Sequence, residues 1–118
     1  MKIWFKDQIC DSQVIEIDSE GWPVGSGVFE TIRTENGEIF ELARHMRRAA
    51  TAARKFEIKL PSEDQIRDAI AALLLAEPHQ LGRLRLLFSK EWFVAVHQTY
   101  IEIAEPAKLT LIDESRLV

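Results

Sequence analysis

The sequence predicts an α+β fold, a small antiparallel sheet built from strands at both ends of the chain with two helices packed on it. Three observations point there. Short blocks rich in β-branched and aromatic residues fill positions 2–41 and return from position 83 onward, the pattern of strands. Between them, from Leu42 to Ala76, apolar residues recur at helical spacing. Tight-turn residues separate the early strand blocks, so those strands pair as antiparallel hairpins.

Taken in order, Lys2–Ile17 reads as a hairpin, KIWF paired with QVIEI, with Asp7, Asp11 and Ser12 as the turn formers between them. Residues 20–27, EGWPVGSG, hold three of the five glycines and one proline. Such a segment is irregular and lets the backbone approach a neighbour closely. VFETIRT and EIFEL form a second hairpin, because Asn36-Gly37 between them favours a type I′ turn. Leu42, Met46, Ala49, Ala50, Ala53 and Phe56 then make one apolar stripe on a first helix, with Arg44, Arg47, Arg54 and Lys55 elsewhere on it. A second helix opens at Ser62, which forms a capping-box pattern with Gln65, while Glu63 and Asp64 suit the positive end of the helix dipole. Ile66, Ala69, Ile70, Leu73 and Leu74 are its buried stripe, and Glu77-Pro78 ends it. RLRLLFS, WFVAV and TYIEI return to strand.

Size and charge narrow the function. At 118 residues and 13.6 kDa, the chain has the size of one ordinary domain, residues 1–118. Fifteen basic against nineteen acidic residues leave a net charge of −4, which argues against a nucleic-acid partner. The longest apolar run, Ala69–Ala76, falls far short of the roughly 18 residues of a membrane span. The start MKIWFKDQ has no apolar signal core, and the single cysteine, Cys10, cannot form an internal disulfide. A cytoplasmic, reducing location is therefore expected.

Three features bear on chemistry. Gly25-Ser26-Gly27 leads straight into VFETIR, either as a pocket-lining backbone or as a tight turn entering a hairpin. His45-Met46-Arg47-Arg48 opens the first helix. Neighbours on a helix diverge by about 100°, so one of the two arginines should lean toward the fold, where its fork suits a phosphate or carboxylate. The plainer alternative is a solvated basic face. Third, Arg83 and Arg85 share one side of a strand, with Leu84, Leu86 and Phe88 on the other. Water, an anionic ligand or a carboxylate such as Glu30 would each account for that placement. His45, His79 and His97 are scattered, and no metal spacing, nucleophile elbow or Walker-type loop occurs.

Together, GSGVFETIRTENGEIFELARHMRRAATAARKFEI and the later GRLRLLFS resemble the N-terminal half of the class IV (fold type IV) aminotransferases. These are pyridoxal-phosphate enzymes that include branched-chain and D-amino-acid aminotransferases and aminodeoxychorismate lyase. The resemblance runs from about Ile3 to Ile103: a Gly-x-Gly-x-Phe-Glu strand, an Asn-Gly hairpin, a His-x-x-Arg helix and an Arg-x-Arg strand.

The resemblance implies pyridoxal 5'-phosphate as cofactor and an amino acid or aminodeoxychorismate-like compound as substrate. It also implies a homodimer. Arg48 matches the residue that holds the cofactor phosphate, Arg85 a position that lies beside the substrate carboxylate in some members, and Phe29 a residue of the substrate pocket. Val24 stands where several transaminases place a tyrosine near the substrate, and Ser26 replaces an aspartate of the common Gly-Asp-Gly form. Ser89-Lys90-Glu91-Trp92 matches a loop that family dimers extend toward the partner's active site, so Lys90 and Trp92 become candidate contributors. Phe-Glu-Thr and Arg-Leu-Arg lean toward the lyase-like branch. None of Lys2, Lys6, Lys55, Lys59, Lys90 and Lys108 sits in a sequence like the one around the family's Schiff-base lysine. The implied assignment is the small domain of a two-domain enzyme, with the large catalytic domain absent from this chain. The alternative is a non-catalytic binding or dimerisation domain, its exposed β-surface of Trp92, Phe93 and Tyr100 waiting for a partner.

Overall fold

A computed structural model of the chain describes residues 1–100. Lys6 and Asp7 both take left-handed backbone, φ 52° and 61°, and this two-residue turn folds β1 (Lys2–Phe5) onto β2 (Gln8–Asp11). The second strand of the first hairpin is thus Gln8–Asp11 and not the expected QVIEI. That run is diverted because the Asp11 carboxylate accepts a hydrogen bond from the Gln13 N–H and caps a single 3₁₀ turn over Ser12–Val14. Ile17 keeps only an isolated bridge to Pro23.

The second hairpin has the expected turn: Asn36 (φ 49°) and Gly37 (φ 85°) join β3 (Val28–Glu35) to β4 (Glu38–Ile39). β4 is shorter than EIFEL because the chain turns at Glu41, whose left-handed backbone starts α1 (Leu42–Lys55). Leu42, Met46, Ala49 and Ala53 are buried as the stripe requires, but Phe56, at the end of the helix, is 59 % exposed. α2 (Glu63–Ala76) carries the full capping box, Ser62 Oγ accepting from the Gln65 N–H and Gln65 Oε1 accepting from the Ser62 N–H. β5 (Leu81–Phe88) and β6 (Phe93–Thr99) complete the described elements. WFVAV and the start of TYIEI form one continuous strand, because β6 keeps its pairing with β5 from Phe93 to Thr99. Positions 101–118, including the rest of TYIEI, lie outside the described residues.

The six strands lie in the order β2-β1-β6-β5-β3-β4, every pair antiparallel. Both helices cover one face. There Val28, Ile32, Leu84, Leu86, Phe88, Phe93 and Ala95 pack against Leu42, Met46, Ala49, Ile66, Ile70 and Leu73. The opposite face holds a smaller cluster, Ile3, Leu87, Val94 and Val96, roofed by Ile15 and Ile17 from the irregular stretch before β3. Phe88 and Phe93 stack at 4.9 Å between ring centroids, so Phe93 is core and not part of an exposed surface.

Candidate functional site

The site is laid out by the two-residue period of β3. Val28, Glu30, Ile32 and Thr34 point toward the helices, while Phe29, Thr31 and Arg33 point to the other face. A carboxylate therefore enters the helix-covered side at position 30. Its oxygens are not left bare. Glu30 Oε1 lies 2.8 Å from His45 Nδ1, and Oε2 lies 3.8 Å from Arg48 Nε. His45 and Arg48 reach it together because residues three apart share a helix face.

Of the two neighbouring arginines, Arg48 is the one that turns to the fold, and Arg47 makes no ion pair among the described residues. Arg48 is not buried, however. Its side chain is 63 % exposed, and its guanidinium stands at the lip of an open cleft of about 570 Å³. Gly27, Phe29, Thr51, Lys55 and Phe56 also line that cleft. Gly27 allows a close crossing here, since any side chain at that position would run into the Phe88 carbonyl.

On the opposite face, Arg85 pairs with Thr31 and is only 8 % exposed. Glu30 cannot be its partner, because the alternation of β3 sends Glu30 through to the other side of the sheet. Arg85 instead lies against the Trp22 indole, 4.7 Å from guanidinium carbon to ring centroid. Burial lowers its pKa, and the nearby Arg83 charge lowers it further, while Glu20 and Asp18 act against both. It remains a cation at any ordinary pH. Its Nε is buried and has no hydrogen-bond partner among the described residues. Arg83 stacks on Tyr100 at 4.8 Å.

Trp22 belongs to a tightly tied loop. The Asp18 carboxylate accepts from the N–H groups of Glu20 and Trp22, both at 2.9 Å, and the Asp18 N–H donates to the Trp22 carbonyl at 2.8 Å. The indole meets Phe29 edge to face at 5.1 Å. Val24, Phe29, Trp22 and Asp18 border a depression of about 400 Å³. Phe29 is thus the wall shared by that depression and the Arg48 cleft. Lys90 stands apart, in the β5–β6 turn, where it lines a separate depression of about 340 Å³ with Lys6, Lys59 and Trp92.

Sequence reasoning singled out Arg48, Phe29 and Arg85 as candidates, and it did not foresee Glu30 beside Arg48 or Trp22 against Arg85. For Glu30 a signal was present: in VFETIRT the glutamate falls in phase with Val28 and Ile32, on the buried side. Among the described residues no helix is long and apolar enough to cross a membrane, and no metal-binding cluster occurs.

The curated D-alanine aminotransferase of Listeria monocytogenes is 25 % identical over 89 residues, which is 73 % of this chain and 31 % of the relative. The chain thus spans about a third of that relative's length. The branched-chain aminotransferase of Escherichia coli superposes with a TM-score of 0.69 at 16 % identity, over 89 % of this chain and 41 % of its own. A second branched-chain aminotransferase, solved with pyridoxamine 5'-phosphate, gives 0.68 at 14 % identity, over 90 % and 42 %. A putative 4-amino-4-deoxychorismate lyase gives 0.61 at 24 % identity, over 76 % and 41 %. These structures share the fold. The family model for class IV aminotransferases matches residues 27–117, from the glycine below the cleft through the Arg48 helix and the Arg85 strand, and the chain belongs to that family.

Proposed function

We propose that this chain provides the cofactor-phosphate anchor and one wall of the substrate pocket in a pyridoxal-phosphate-dependent aminotransferase. The observation that carries the reading is Arg48, held at the lip of an open cleft by a buried carboxylate. The donor set fits a phosphate. Two cations, Arg48 and Lys55, and the bare backbone at Gly27 face one cleft, while the one carboxylate among the described residues that line it, Glu30, is buried and already shared with His45.

Pyridoxal phosphate, when bound, supplies an electron sink at the amino-bearing carbon and is held by a lysine. That lysine is proposed to lie in the region that the longer relatives have and this chain does not span. Arg48 would fix the phosphate end, and Glu30 and His45 would fix Arg48. Phe29 and Val24 would form the wall beside the substrate side chain, and Arg85 would face its carboxylate. Homodimer formation, with Lys90 and Trp92 reaching toward a second subunit, belongs to the same proposal. The substrate class is a small amino acid with its keto acid. A lyase reaction on an aminodeoxychorismate-like compound is the variant that Phe29-Glu30-Thr31 and Arg83-Leu84-Arg85 support.

The test is Arg48→Ala in the full-length protein, with cofactor retention followed by visible absorption. Hydrogen bonds to a charged group are worth about 1.5–3 kcal/mol, so affinity should fall by about ten- to a hundredfold. Unchanged affinity would remove the role assigned to Arg48. An intact mass near 13.6 kDa from the natural host would favour the non-catalytic binding domain, which exposed Val24, Phe29 and Phe56 also support.

A further inference from the structure

We infer that Trp22 is a positioning residue for Arg85, orienting its guanidinium to take the carboxylate of an amino or keto acid. This rests on the reading of Arg85 as the carboxylate contact and adds to it the residue that makes such a contact available.

A guanidinium taken out of water needs compensation. The usual answer is a carboxylate, which would occupy the same in-plane N–H groups that a substrate needs. Here no acidic side chain forms an ion pair with Arg85 among the described residues, and Glu30 is committed to the other face. The Trp22 ring lies 4.7 Å away, and the Glu20 and Asp18 charges favour the cation from nearby without forming an ion pair with it. An aromatic face attracts the cation without consuming its N–H donors. The arginine is therefore 8 % exposed, lies against the ring, and has an Nε that no described residue occupies.

Trp22 can do this because it is itself fixed. Asp18 ties its backbone at both N–H and carbonyl, and Phe29 meets its ring edge to face. Gly21 just before it has φ +89°, and a side chain there would collide with Gln98 and approach Arg85 Nη1 to 2.9 Å. The glycine thus lets the loop lie directly on the arginine. Through Phe29 the same indole touches the wall of the proposed side-chain pocket, so both ends of an amino acid would be read against one aromatic pair.

The test is calorimetric titration of the full-length protein with 4-methylvalerate and, separately, with its uncharged amide. Trp22→Leu keeps apolar bulk and removes the ring face. It should weaken the acid about three- to thirtyfold more than it weakens the amide, whose apolar tail meets the same Trp22–Phe29 pair. Trp22→Phe should stay within about threefold of wild type for both. Should the leucine variant not fold, Trp22→Met gives the same contrast. Equal loss of acid and amide, or no loss of acid, overturns the role of Trp22. Failure of the Arg85 reading looks different: the wild type shows no preference for acid over amide, or Arg85→Gln binds the acid as well as wild type does.

Discussion

Thr34 and His97 lie on strands that do not touch, β3 and β6, yet Thr34 Oγ1 and His97 Nε2 are 2.8 Å apart. They meet across β5, over Gly82. At that position a Cβ would collide with both side chains. The other ring nitrogen, His97 Nδ1, donates to the Glu77 carbonyl at 2.7 Å, which fixes Nε2 as the acceptor of the Thr34 hydroxyl. A buried polar bridge thus joins two strands through a gap that only glycine leaves open.

Gly82→Ala should therefore destabilise the fold by about 1–3 kcal/mol through overpacking and a strained hydrogen bond. Gly37→Ala is the control, since open space surrounds Gly37 and only its φ of +85° resists a side chain. Its cost should be near 1 kcal/mol. Urea unfolding of the two variants compares them directly, and equal losses would refute the bridge's dependence on Gly82.

The same histidine predicts a pH dependence. His97 is 1 % exposed, and burial lowers its pKa, with the adjacent His79 adding to the effect. The Glu77 backbone carbonyl and carboxylate oppose both without reversing the direction. The folded state therefore binds the proton less readily than the unfolded chain. This stability is fully present above the ordinary histidine value of about 6.5 and is lost as pH falls from there through the lower folded-state value. Unfolding midpoints between pH 8 and 5 should show a decline that flattens in His97→Gln.

Glu30→Ala should cost about 1–3 kcal/mol, because it leaves His45 without its buried partner and frees Arg48. Cofactor retention should fall as well, although Glu30 lines the cleft behind Arg48. Full retention in a folded Glu30→Ala protein would show that Arg48 needs no such support.

Ser62→Ala removes one half of the α2 capping box and exposes the Gln65 N–H. The expected loss is about 1 kcal/mol, read as a shift in urea midpoint with unchanged slope. No shift would mean that Glu63 and Asp64 alone satisfy the helix start.

Much of this was legible from local chemistry. Ser62 with Gln65, Asn36-Gly37 and the stripe from Leu42 to Ala53 act within a few residues of themselves, so the sequence carries their outcome. The misreadings came from elsewhere. Lys6 is an unexpected residue for left-handed backbone, and the hairpin turns there because Ile3 and Trp4 pair with β6 as well as with β2. Val14–Ile17 has the composition of a strand but serves as a roof. Trp22 was unreadable for the same reason, since its contact with Arg85 spans 63 positions. One hint was present: Leu86-Leu87-Phe88 and Phe93-Val94-Ala95-Val96 are apolar on both phases, which implies cover on both faces of the sheet.

The alternation along β3 has a consequence for how this stretch can change over evolutionary time. Glu30 serves one side of the sheet and Phe29 the other, so the strand works as a reading frame with two messages interleaved. Loss of Val28 would exchange them, delivering a carboxylate to the side of Arg85 and an aromatic ring to the side of Arg48. Point substitutions here alter one message at a time, whereas a single-residue length change scrambles both. Homologous chains should therefore vary in the loop before Gly25 and after Glu35 while holding constant the count of residues between them.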